Sequence, residues 1–170
     1  MSDVGSQARS ARLLVVDDVE DNLFTLTRRL NREGYELIVT ATNGREALDK
    51  LGAQPFDLVL LDVMMPEMNG YEVLAAIKGD ERLRHIPVIM ISAVDEAESV
   101  IRCIEQGAED YLPTPFNPIL LRARVGACLE KKRLHDGLAE WARTLERRVE
   151  EKVAEVEQLG RLNPHFRFGR

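Results

Sequence analysis

Short apolar runs alternate with stretches of helical periodicity from Arg12 to Leu112. "RLLVVDD" (12–18), "ELIVTA" (36–41), "FDLVLLD" (56–62), "PVIMIS" (87–92) and "EDYLP" (109–113) each read as a strand. Between them, apolar residues recur at helical spacing. Leu23, Leu26 and Leu30 mark a first helix, and Ala47, Leu48 and Leu51 a second. Tyr71, Leu74 and Ile77 mark a third, and Val100, Ile101 and Ile104 a fourth that stops at Gly107. The second helix opens with Asn43 and carries Glu46 three residues on, a capping-box signature. Strands this apolar are buried on both faces, so the pattern predicts an α/β fold with a five-stranded parallel, doubly wound sheet.

The character changes after Phe116. A long C-terminal helix is predicted from about Asn117. Its apolar residues are Leu134, Leu138, Trp141, Leu145, Val149, Val153, Val156, Leu159 and Leu162. Those are eight steps over 28 residues, a mean of 3.5, which is the coiled-coil period. The steps do not alternate cleanly between three and four, so a stutter is expected near Leu145–Val153. Gly126 and Gly137 each cost such a helix about 1 kcal/mol. One apolar stripe on a lone helix leaves it unburied, and the simplest partner is the same helix of a second chain, a homodimer. The expected divisions are a flexible tail (1–10), an α/β domain (11–128), a coiled-coil helix (129–162) and a frayed tail (163–170).

Charge sharpens this division. Residues 1–129 hold 13 Lys/Arg against 21 Asp/Glu, a net of −8, which argues against nucleic-acid binding by that part. Residues 130–161 hold eight of each, as in a helix laced with ion pairs. No run of about 18 apolar residues exists to span a membrane. The first residues, "MSDVGSQARSAR", lack the apolar core of a secretory signal, so a cytoplasmic location is expected. Cys103 and Cys128 stand far apart and outside metal-ligand spacing, and read as reduced, buried residues.

In open α/β sheets, sites form at the carboxyl ends of strands. Asp17, Asp18, Asp62, Ser92 and Thr114 all fall at or just after such ends and are expected to converge. Three carboxylates at one sheet edge repel unless a cation sits between them. Hard oxygen ligands with no thiols suit Mg²⁺. A bare "DD" would serve equally to cap the first helix, where acids are favoured.

The stretches "LLVVDDVEDN", "DLVLLDVMMPEMNGYEVL", "IPVIMISA" and "GAEDYLPTPFNP" resemble the receiver domain of two-component response regulators, a flavodoxin-like fold. The resemblance covers roughly residues 11–128, with 30 residues from Asp62 to Ser92 and 19 more to Tyr111. It implies that Asp62 is the phosphoacceptor, taking a phosphoryl group from a sensor histidine kinase. Asp18, Asp62 and the backbone carbonyl of Met64 would hold Mg²⁺ directly, and Asp17 through water. Ser92 would hydrogen-bond a phosphoryl oxygen, and Tyr111 would swing inward as Ser92 moves. Phosphoryl transfer is mostly positioning and charge neutralisation, which such a site supplies. The chain is expected to be a switch and not an enzyme, since Met64 stands where aspartyl-phosphate hydrolases need a general acid.

One position departs from the family pattern. Thr114 stands where the family has a lysine, and its hydroxyl offers one neutral hydrogen bond in place of a charged one. Charged hydrogen bonds contribute roughly 1.5–3 kcal/mol and neutral ones about 1. Phosphorylation is therefore expected to be less stabilised, while the Mg²⁺ ligands are all retained. Two readings follow. In one, a receiver relays the state of Asp62 through a dimeric coiled coil to an output domain outside these residues. In the other, a phosphorylation-independent pseudo-receiver acts as a constitutive dimerisation module.

Overall fold

The structure, a computed structural model, describes residues 9–93 and 97–162. The C-terminal tail (163–170) and most of the N-terminal tail (1–10) lie outside the described residues. The chain divides between Lys132 and Arg133 into two compact units.

The first unit carries strands β1 (Arg12–Val16), β2 (Leu37–Ala41), β3 (Leu58–Asp62), β4 (Val88–Ser92) and β5 (Asp110–Pro113). All pair in parallel in the order β2-β1-β3-β4-β5. Each strand starts or stops inside the apolar run that announced it. β1 ends at Val16, which leaves Asp17 and Asp18 just past the ladder, although the Asp17 N–H still donates to the Ala41 carbonyl at 3.1 Å.

The helices are α1 (Glu20–Arg32), α2 (Gly44–Ala53), α3 (Gly70–Gly79), α4 (Ala97–Glu105) and α5 (Pro118–Leu162). Alternation along the strands sends side chains to two cores. Leu14, Val16, Val59, Leu61 and Met90 pack with Ala47, Leu51, Val73, Leu74, Ile77 and Cys103 from α2, α3 and α4. Leu13, Val15, Leu58, Leu60, Ile89 and Ile91 pack with Leu23, Leu26, Leu30, Leu121, Val125 and Cys128 from α1 and α5. Each fully buried leucine contributes about 1.5–3 kcal/mol. Both cysteines are free and buried, and they sit on opposite sides of the sheet. Burial pushes the Cys128 thiol up to about 11.

Local details refine the sequence pattern. Asn43 accepts from the Glu46 N–H at 2.8 Å, but the Glu46 carboxylate returns to the Thr42 N–H and hydroxyl, one residue upstream of a full capping box. The Lys50 ammonium 2.9 Å away and those Thr42 bonds hold the Glu46 carboxyl at about 2. The complete box lies on α3, where Asn69 and Glu72 cap each other's N–H groups. On α4 the inward face is Val100 and Cys103, while Ile101 and Ile104 are exposed. Spacing of three places Cys103 beside Val100 on that face.

Asn117 caps α5 by accepting from the Ile119 N–H at 2.8 Å, and Pro118 takes the first position, where no N–H is needed. Leu121, Val125 and Cys128 face the sheet. At the end of this unit Lys131 pairs with Glu109 at 2.8 Å. Lys132 is buried with its ammonium 3.8 Å from Asp57, whose other oxygen accepts from the Arg12 N–H.

The second unit is the remainder of α5. Leu134, Leu138, Trp141, Leu145, Val149, Val153, Val156 and Leu159 are all exposed along it. Arg147 with Glu151 and Lys152 with Glu155 form ion pairs within the helix. Among the described residues, no helix is long and apolar enough to cross a membrane.

Candidate functional site

The strand order reverses direction at β1 and β3, and the carboxyl ends of those two strands form the crevice expected of an open parallel sheet. Asp17 and Asp18 follow β1, and Asp62 closes β3. One carboxylate oxygen from each lies within 4.8 Å of the other two. Residues 45 apart in the chain are thus brought together by parallel pairing of Val16 with Leu61.

Asp17 is buried and holds the turn that leads into α1. Its Oδ1 accepts from the Val19 N–H at 2.9 Å, which steadies the entry to α1, and its Oδ2 accepts from Asn22 Nδ2 at 3.1 Å. Burial raises its pKa, and those two bonds restrain the rise. Asp62 is half-buried and accepts one bond, from the Met64 N–H at 3.3 Å. Burial, then the negative charges of Asp17 and Asp18, push its carboxyl up to about 7. Three acids this close hold more negative charge than their surroundings neutralise. Their hard oxygen donors fit a divalent cation such as Mg²⁺.

The loop after Asp62 is tightly shaped. Glu67 adopts a left-handed backbone (φ 66°), and the Gly70 N–H returns to the Val63 carbonyl at 2.8 Å. Gly70 packs directly on the backbone of Asp62 and Val63. Met64 is exposed, whereas Met65 is buried in the core.

On the other flank, Ser92 ends β4 and is buried. Its carbonyl accepts from the Thr114 N–H at 3.0 Å. The Tyr111 hydroxyl points at the same carbonyl from 3.4 Å, and the Tyr111 ring already lies inside the protein. Thr114 is half-buried and the Thr114–Pro115 peptide bond is cis. Thr114 and Asp17 line one cavity. The sequence-predicted residues therefore fall into two groups, the three acids around Asp62 and the Ser92–Tyr111–Thr114 set beside them. Asn22 and Gly70 were not among the expected site residues. Asn22 holds Asp17, a role visible only once α1 is folded back on the strand end, and the role of Gly70 shows only in its close approach to the Asp62 and Val63 backbone.

Residues 13–126 match the family described as the response regulator receiver domain. The chain belongs to that family. Curated relatives of this receiver include the response regulator PleD of Caulobacter vibrioides, 43% identical over 76% of this chain and 28% of its own length. A probable cyclic di-GMP phosphodiesterase of Vibrio cholerae is 38% identical over 86% of this chain and 33% of its own. The transcriptional regulatory protein PhoP of Bacillus subtilis is 37% identical over 72% of this chain and 50% of its own. The receiver therefore spans half or less of these relatives' length. Among solved structures, a putative response regulator from Chloroflexus aurantiacus superposes with a TM-score of 0.68 at 31% identity, covering 71% of this chain and 98% of that one. The Francisella response regulator 1452 receiver domain gives 0.66 at 28% identity, covering 72% and 98%.

Proposed function

We propose that Asp62 accepts a phosphoryl group from a phosphohistidine of a sensor histidine kinase. A carboxylate oxygen of Asp62 forms the new bond to phosphorus, the P–N bond breaks, and the imidazole leaves with the bonding electrons. The observation that carries this reading is the gathering of Asp17, Asp18 and Asp62 at the sheet's switch point. Asp18, Asp62 and the Met64 carbonyl would hold Mg²⁺ directly, with Asp17 holding it through water. The ion's chemistry is to neutralise charge on the phosphoryl oxygens. Ser92 and Thr114 supply neutral hydrogen bonds to the phosphoryl group, and Asp17, fixed by Val19 and Asn22, stays in place throughout. Tyr111 reports the position of Ser92 through their shared contact. With Met64 at its position, the chain lacks a general acid two residues after Asp62, so the phosphorylated state persists as a signal and is not turned over rapidly.

The signal passes to α5. Its exposed apolar stripe pairs with that of a second copy, forming a dimeric coiled coil that leads to an output domain. A kinase partner that works inside the cell makes the cytoplasm the site of action. The test is intact-mass measurement after exposure to acetyl phosphate and Mg²⁺. The parent gains one phosphoryl group and Asp62→Asn gains none, whereas equal gain in both sinks the assignment.

A second reading is favoured by one observation, the already buried Tyr111 ring. A pseudo-receiver with its switch residue held inward would dimerise without phosphate. Beryllofluoride distinguishes the two, since it shifts the dimer equilibrium or the Tyr111 environment only in a responsive receiver.

A further inference from the structure

A cavity of about 540 Å³ lies between α1 and the loop joining β5 to α5. Nothing in the phosphoryl-transfer chemistry uses most of its wall. We infer that this cavity binds an elongated organic anion with a flat apolar body. The volume falls within the roughly 300–1,000 Å³ of small-molecule sites.

Its wall combines buried and exposed residues. Asp17, Leu26 and Ile91 are its buried residues, and Thr114 is half-buried. Leu26 and Phe116 contribute apolar wall. Its exposed residues include Phe24, two-thirds exposed, Arg28 and Arg32. The surface continues outward as a groove along α1 that Phe24, Arg28 and Arg32 also line.

Charge selects an anion. The part of the chain up to residue 129 carries a net −8, yet this corner is basic. Glu33 is shared between Arg29 at 2.9 Å and Arg122 at 3.4 Å, so one carboxylate faces two guanidiniums. No ion pair among the described residues involves Arg28 or Arg32. Four cations against Glu33 and Asp17 leave the corner at +2. Arg29 also lines the cavity, with its guanidinium already turned to Glu33. Guanidinium groups next to an exposed phenylalanine suit a planar anion, since both stack on flat faces.

Thr114 ties the cavity to this particular sequence. It lines the wall with a short side chain, and a lysine there would extend its four methylenes and a charge from the same backbone position. The space and the departure from the receiver pattern therefore share one residue.

The experiment uses the full chain and 8-anilino-1-naphthalenesulfonate, a flat organic anion, followed by fluorescence and by backbone amide NMR shifts. Saturable binding is expected, with the largest shifts at Thr25, Arg28 and Phe116. The double variant Arg28→Gln/Arg32→Gln should weaken it at least tenfold at an unchanged denaturation midpoint, and Thr114→Lys should weaken it at least tenfold by filling the space beside Ile91. Saturable binding should persist in Asp62→Asn, which separates this site from the phosphoacceptor reading. Absence of saturable binding, shifts confined to the Val153–Val156 stripe, or affinity insensitive to either variant overturns the inference.

Discussion

A β-carbon on Gly70 would stand 2.3 Å from the carbonyl oxygen of Asp62 and 2.7 Å from the Val63 Cα. Real contacts of that length do not occur, and the opposing atoms are backbone that cannot swing aside. Gly70→Ala is therefore expected to lower stability by about 1–3 kcal/mol, the range for overpacking. It should also slow phosphoryl uptake, because relief of the clash moves the peptide bearing Asp62. Chemical denaturation and a phosphorylation time course check both effects. A stable variant with parental uptake would show that the loop is softer than its contacts indicate.

Asp62 makes the metal-free protein sensitive to pH. Its folded pKa of about 7 lies above the ordinary 3.8, so its contribution to stability is fully present below about pH 4 and is lost as pH rises through 7. Asp62→Asn removes that liability. In chelator, the variant should match the parent near pH 4 and exceed it at pH 8, as read by denaturation midpoints. Adding Mg²⁺ at pH 8 should restore the parent, by about 2.7 kcal/mol at a hundredfold excess over Kd. A difference that does not change with pH would place the titrating charge elsewhere.

Thr114→Lys adds a cation to a site with three acids. Phosphorylated lifetime should rise, since a charged hydrogen bond contributes roughly 1–2 kcal/mol more than a neutral one. Mg²⁺ affinity should fall several-fold in the unphosphorylated protein, as the ammonium competes for the same negative field. Isothermal titration and dephosphorylation kinetics give the two numbers, and movement of both in the same direction contradicts the charge argument.

The coil can be tested apart from the receiver. Trp141 and Leu145 lie in the middle of the exposed stripe. Replacing both with glutamate should leave the stability of the receiver unit within about 0.5 kcal/mol, as for surface changes far from a core. Sedimentation should change from dimer to monomer. A dimer that survives the double substitution must be held by the receiver's own surface.

Much of the fold was legible because the sheet is parallel. Strands covered on both sides must be apolar throughout, so runs such as "LVLL" announced themselves without alternation. The end of β1 was legible too, since the apolar run and the strand both stop at Val16, just before Asp17. The acids of the site could be found because the carboxyl ends of strands gather residues that lie far apart in the chain. The buried state of Tyr111 could not, since a tyrosine in "EDYLP" fits either side of a surface. Asn69 and Glu72 share the spacing of Asn43 and Glu46, yet only the former pair closes the full box. The cavity beside Thr114 depends on how closely α1 approaches the β5–α5 loop, and no local pattern encodes that distance.

Lys132 gives the long helix an angular key. Its ammonium sits against Asp57 within the last turn that belongs to the receiver unit. Advancing the helix by one residue turns its face by about 100° and would carry that charge off its seat. Rotation of this turn about the helix axis therefore separates Lys132 from Asp57.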